Sequence, residues 1–264
     1  MDEMAAGFAV GGRLTSGHKK VVNPRQEHPS LEPVWNRIDR VYCISLESRT
    51  DRQASARNQF AGVGLDGKVT FHIARRHPTN CEQGIFESHQ ACLKMGLDAG
   101  ARHILVFEDD VVFGRFNGSQ LVPGIDYYLN TNDGDILFLG CLVNGSRATG
   151  IPGLRRIQYR CLAHAYLIRP SLAREVVNSP WNRIPYDIWL RNRIEKPLAL
   201  YPAIAFQSNS PSDNSRHRTL DVIRRLFGGL RFIQMVNERY HRFRYAVIAA
   251  HLLVIAAAIL WALA

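Results

Sequence analysis

The chain has 264 residues, 46% of them hydrophobic and 21% charged, with a formal net charge of +10. That length holds one α/β domain of roughly 200 residues plus appendages, and a core of that size needs no disulfides to stabilise it. The five cysteines (Cys43, Cys81, Cys92, Cys141, Cys161) are scattered without zinc-ligand spacing, which argues against a disulfide framework or zinc module and fits reduced thiols in a cytosolic chain.

Residues 1–35 read as a mobile tail. Met1–Val10 carries Asp2 and Glu3 and lacks the basic start of a signal peptide. From Gly11 to Pro33 the chain is polar and rich in Gly, Pro, Ser and basic residues, with no hydrophobic periodicity.

Residues 36–215 alternate strand and helix signals. Arg40–Leu46 predicts a buried strand, Asp51–Phe60 a polar helix and Lys68–Ile73 a second strand. Gly84–Ala99 predicts a helix with Ile85, Phe86, Cys92, Leu93 and Leu97 available to one broad face. His103–Phe107 is a continuous apolar run stopped by three carboxylates. Strands follow at Asp135–Leu139 and Ala163–Ile168, helices at Leu172–Val177 and Asp187–Ile194, and an extended segment at Pro202–Phe206. Short apolar strands separated by helices imply an α/β fold with a largely parallel sheet flanked by helices. Ligands of such sheets sit beyond the carboxyl ends of the strands. Neither GxGxxG nor GxxxxGK[ST] occurs.

The acidic triplet Glu108-Asp109-Asp110 stands at such an end. Three unpaired buried anions would cost several kcal/mol each, so the group faces solvent or holds a cation. In extended chain Glu108 and Asp110 share a side and Asp109 takes the other. Oxygen ligands of this kind suit Mn²⁺ or Mg²⁺, which neutralise charge on a leaving diphosphate. An acidic surface loop, or two-metal phosphoryl chemistry, fits the same three residues.

Between Arg216 and Arg244 eight arginines (216, 218, 224, 225, 231, 239, 242, 244) face only Asp221 and Glu238, which gives this segment +6 of the total charge. Because it leads into an apolar run, residues 216–244 are read as a basic juxtamembrane helix for anionic lipids rather than for nucleic acid. The run, Tyr245–Ala264, holds His251 as its one strongly polar side chain. Twenty helical residues reach about 30 Å, the thickness of a bilayer core. A buried soluble helix is the competing reading. The positive flank predicts a single-pass C-terminal anchor with the preceding domain on the cytoplasmic side.

Several blocks in order resemble glycosyltransferase family 25, the lipooligosaccharide and procollagen galactosyltransferase group. They are VYCISLESRTDR (41–52), CEQGIFESHQACLKM (81–95), HILVFEDDVVF (103–113), GDILFLG (134–140), LAHAYLIRPSLAREVV (162–177), IPYDIWL (184–190) and YPAIAFQSNSPSDN (201–214). The resemblance covers about residues 38–215. It implies a glycosyltransferase-A-like fold, a nucleotide-sugar donor, a glycan or glycolipid acceptor, and inverting transfer of a hexosyl group, with galactosyl as the group's example.

Inverting transfer needs a base near the acceptor hydroxyl and cationic support for the diphosphate. Asp187 is the leading base, with a helix cap as its alternative role, and Asp135 is the second catalytic candidate. Glu108 and Asp110 are the metal candidates. Arg49, Arg52, Ser88, His89, Asp109, Gln207, Ser212 and Asp213 are the donor-binding candidates. Two other functions use the same residues: a membrane-bound partner that keeps the fold without turnover, and a metal-dependent phosphotransferase.

Overall fold

The computed structural model describes residues 31–114, 116–208 and 229–263. Chain order runs α1 (Glu32–Trp35), β1 (Arg40–Leu46), α2 (Thr50–Gly62), β2 (Val69–Ala74), α3 (Cys81–Asp98), β3 (Ile104–Glu108), β4 (Val111–Phe113) and α4 (Gly118–Asn130). It continues through β5 (Ile136–Phe138), β6 (Leu142–Ala148), β7 (Leu154–Cys161), β8 (Ala165–Ile168), α5 (Pro170–Asn178), α6 (Tyr186–Arg193), β9 (Pro197–Leu200), β10 (Ala205–Gln207) and α7 (Gly229–Leu263).

The main sheet has eight strands in the order β2-β1-β3-β8-β5-β9-β7-β6, and β10 pairs with β4 as a separate ribbon. β1 runs parallel to β2 and β3, and β5 parallel to β9, whereas β8 and β7 oppose their neighbours. Six strands therefore share one direction. The mostly parallel α/β sheet expected from the strand pattern is present. Apolar residues cover both of its faces. One cluster joins Trp35, Phe60, Phe107, Tyr128 and Leu167, and the other joins Phe86, Val106, Phe138, Tyr166 and Trp189.

The sequence limit for the tail lies too late. Leu31, Val34 and Trp35 are buried, and the Trp35 Nε1–H donates to Val63 O at 2.8 Å. Residues 31–35 belong to the folded body, and residues 1–30 lie outside the described residues.

Two features of the fold place the functional elements. α3 starts at Cys81, before the expected Gly84, because the Asn80 side chain accepts from the amides of Glu82 and Gln83. Phe86, His89, Leu93 and Gly96 then fall on its buried face. Near the end of β5, a Cβ on Gly140 would sit 1.8 Å from the Ala205 carbonyl and 2.5 Å from the Gln234 side chain. Only glycine lets these three segments meet.

α7 has two unlike halves. Its first half is docked on the domain. Gln234 Nε2 donates to Ala205 O at 2.9 Å, Asn237 exchanges two bonds with the backbone of Val143, and the Ala203 amide donates to Glu238. Beyond Tyr245 every described residue but the partly covered Val247 is exposed, up to Trp261 at 85%. The window apolar enough to cross a membrane has none of its residues buried in the protein. This half is therefore not packed in the core of the domain, and among the described residues α7 is the one helix long and apolar enough to span a bilayer.

Candidate active site

A cavity of about 480 Å³ opens at the carboxyl ends of β1, β2 and β3. Glu108, Asp109, Asp110, Arg52, Ser88, His89, Asp187 and Gln207 all line it. Sequence spacing thus brought eight of the predicted residues to one place.

β3 ends at Glu108, so Asp109 and Asp110 stand in a turn rather than in the extended chain expected, and the three carboxylates have different surroundings. Asp109 is buried and fully engaged: Ser45 Oγ donates to Oδ2 at 2.6 Å, and Arg52 Nη1 donates to Oδ1 at 3.2 Å. These bonds tie α2 to the end of β1 and to the turn after β3, and Asp109 also lines the cavity. Glu108 and Asp110 lie together instead. Burial holds both carboxyls well above the usual range, with Asp187 and Asp109 adding to the effect at Glu108 and Glu108 adding to it at Asp110. Gln207 donates to Glu108 Oε2 at 3.3 Å, while Asp110 Oδ1 is buried with no hydrogen-bond partner. Two crowded carboxylates, one with an orphaned oxygen, form a donor set that fits a hard divalent cation completed by water and phosphate oxygens. Among the described residues no group of three His, Cys, Asp or Glu side chains forms a metal cluster, so an all-protein cage is not what this site offers.

His89, from α3, is entirely buried behind Glu108. Its ring stacks on Tyr186 with centroids 3.9 Å apart, Nδ1 lies 2.9 Å from Tyr166 Oη, and Nε2 points at Glu108 Oε1 from 3.5 Å. Tyr166 Oη in turn lies 2.8 Å from Tyr186 Oη. Burial lowers the imidazole to about 3, so it is neutral at ordinary pH. Nε2 is buried and makes no hydrogen bond, with the Glu108 carboxylate beside it. His89 thus packs behind Glu108 and also lines the cavity. Ser88 Oγ donates back to Gly84 O at 2.6 Å within its own helix.

Asp187 faces the triplet from α6. Its carboxylate does not cap that helix; it accepts from Tyr159 Oη at 2.6 Å, Ala163 N at 2.9 Å and Leu162 N at 3.0 Å. Leu162 has φ 75°, a left-handed conformation that a branched side chain rarely adopts. Asp187 holds this strained turn against the pocket. A carboxylate has about four acceptor positions, so one remains.

Two expectations, Asp135 and Arg49, fall elsewhere. Asp135 precedes β5 and accepts from the amides of Glu195 and Lys196 at 3.1 and 2.8 Å. β5 runs in the direction of β3, so Asp135 sits at the opposite end of the sheet from Glu108 and cannot act as the base. Arg49 lies outside the pocket wall, with its guanidinium on Asp51. Ser212 and Asp213 lie outside the described residues. Conversely, Arg75, Arg76 and His77, just beyond β2, line the cavity and were not anticipated. The signal was available: they follow a predicted strand, where ligands of such sheets collect.

No family model matches the chain. Over 209 residues it is 27% identical to the human protein called "Inactive glycosyltransferase 25 family member 3", an overlap of 67% of this chain and 35% of that protein. The similarity supports a glycosyltransferase relationship. The chain spans about a third of that relative's length. Among solved structures, A197 from STIV gives a TM-score of 0.44 at 12% identity, covering 64% of this chain and 84% of that one. A glycosyltransferase involved in glycosylating the major capsid of PBCV-1 gives 0.37 at 12% identity, covering 58% and 75%. An active-site mutant of LgtC gives 0.34 at 12% identity, covering 61% and 72%.

Proposed function

We propose that this chain is a metal-dependent, inverting hexosyltransferase that moves a sugar from a nucleotide-sugar donor to a hydroxyl of a glycan or glycolipid. The observation that carries the reading is the pairing of Glu108 with Asp110 at a strand end, across one cavity from Asp187. Glu108 and Asp110 would hold Mn²⁺ or Mg²⁺, whose chemistry when bound is to neutralise charge on the departing diphosphate. Arg52 keeps Asp109 out of that role and carries positive charge 4.0 Å from Asp110. Arg75, Arg76 and His77 supply cationic and donor groups on the wall beside it. Asp187 has one acceptor position left with which to take the acceptor proton. Galactosyl is the first sugar to try, on the resemblance described above.

The fold is carried to a membrane by α7. Arg231, Arg239, Arg242 and Arg244 precede the span, which favours a cytoplasmic catalytic domain against anionic headgroups. Nucleic acid is not part of this reading.

The name of the human relative favours a second reading, a membrane-bound protein that binds a donor without turning it over. A panel of nucleotide sugars, incubated with Mn²⁺ and assayed for released nucleoside diphosphate, separates the two. Mn²⁺-dependent release that stops in chelator supports the enzyme. Binding of a donor with no release supports the second reading.

A further inference from the structure

The pocket and the membrane span are joined by one rigid element. Gly229 and Leu230, at the start of α7, line the cavity. No proline or glycine interrupts the chain from Leu230 to Leu263, so the sequence supplies no kink. The first half of this helix is fixed to the domain at four levels: Gln234 on Ala205, Asn237 on Val143, Glu238 on Ala203, and the His241 carbonyl on Ser146 Oγ. Tyr245, where the apolar span starts, stands sixteen residues beyond Gly229. At 1.5 Å per residue that separation is about 24 Å, and a tilt near 20° shortens it by only about 1–2 Å.

The geometry points to α7 as a fixed spacer that keeps the pocket about 24 Å from the bilayer boundary, so the acceptor hydroxyl belongs to the outer part of a membrane-linked saccharide several units long, not to a sugar carried directly at the headgroup. This inference rests on the glycosyl-transfer reading for its substrate and on the fold alone for its distance. A flexible linker would let the pocket visit the membrane surface. A continuous helix bonded to the sheet edge removes that freedom. The span also confines the enzyme and its acceptor to one plane, which raises their local concentration without contact between pocket and lipid.

Two measurements test it separately. In full-length protein carrying Cys161→Ser, a dye on the pocket residue Cys81 is paired with a headgroup dye in phospholipid vesicles. Energy transfer should place Cys81 about 15 Å or more from the headgroup plane, which lies about 5–7 Å outside the hydrocarbon boundary. A shorter separation overturns the inference and means that α7 lies along the surface, with its apolar outer residues Phe232, Val236 and Tyr240 in the interface. The second measurement uses hexosides joined to phospholipid through polyethylene-glycol spacers of stepped length. Transfer should rise at least tenfold once the spacer reaches the pocket. A seven-residue helical insertion after Arg244 should move that onset outward by about 10 Å. Equal or better transfer to the shortest spacer overturns the inference. If no hexoside is turned over, soluble or anchored, the glycosyl-transfer reading fails, and the dye distance still decides the spacer.

Discussion

At the scale of single residues, the site depends on two carboxyls that burial has made reluctant to ionise. The consequence for stability has a definite sign. Glu108 and Asp110 bind protons more tightly in the folded protein than in the unfolded chain, so above the unfolded pKa of roughly 4 the folded state holds more protons. Stability of the metal-free protein should therefore fall as pH rises from about 5 to 8. Mn²⁺ should stabilise more at the upper end, where the ligands are deprotonated. Melting curves across this range, with and without Mn²⁺, check both trends. The packing of His89 behind Glu108 makes a further prediction. His89→Phe should weaken Mn²⁺ binding by about 10–100-fold, the usual effect of losing a partner behind a metal ligand. Tyr166→Phe should weaken it less, because the imidazole stays in place. Titration followed by electron paramagnetic resonance reads the metal directly, and unchanged affinity in His89→Phe would return that residue to the core. Asp187→Asn sets an amide NH₂ among three donors, which should cost about 1–3 kcal/mol and lower turnover, with donor affinity kept. Donor titration and thermal melting separate the two losses. The position of the triplet at a pocket-lining strand end was legible in the sequence because a hydrophobic strand that runs into carboxylates is a local signal. The roles of Asp109 and Asp135 were not, since both are decided by partners far along the chain, Ser45 with Arg52 and the Glu195–Lys196 amides.

At the scale of elements, β1, β2, β3, α3 and α6 lie within a few residues of their sequence signals, whereas β4, directly after the triplet, had none. Other elements lack such a signal for reasons of their own. α4 presents Leu121, Ile125 and Tyr128 at helical spacing, but Pro123 and Gly124 interrupt it and read as a loop. β7 (LRRIQYRC) carries three arginines on a strand that is only partly covered, so it lacks the continuous apolar run of β3. β6 pairs with it and contains Gly145 and Asn144. Closure of the site by these later segments can be tested at Gly140. Gly140→Ala has no room beside Ala205 and Gln234, and overpacking of this kind should destabilise by about 1–3 kcal/mol. Chemical denaturation measures it. Wild-type stability in this variant would mean that β5, β10 and α7 do not meet as described.

At the scale of the whole molecule, one chain combines a pocket at the carboxyl edge of a sheet with a helix whose first half is docked on the domain and whose second half is long and apolar enough to span a membrane. Removal of residues 245–264 should release the protein from membranes while transfer to a small soluble acceptor persists, because α7 is bonded to the domain only before Tyr245. High salt should not extract the full-length chain, since burial of an apolar span does not depend on charge; extraction by salt would mark an interfacial helix instead. The central claim, that Glu108 and Asp110 form a cation-assisted nucleotide-sugar site, is tested most directly by thermal shift of the protein and its Asp110→Asn variant. Each is melted with Mn²⁺ alone and with Mn²⁺ plus a panel of nucleotide sugars. A bound donor at about a hundred times its dissociation constant should stabilise the wild-type protein by about 2.7 kcal/mol beyond Mn²⁺ alone, and Asp110→Asn should lose that increment while folding normally. An equal increment in both proteins, or none from any nucleotide sugar, would contradict the account.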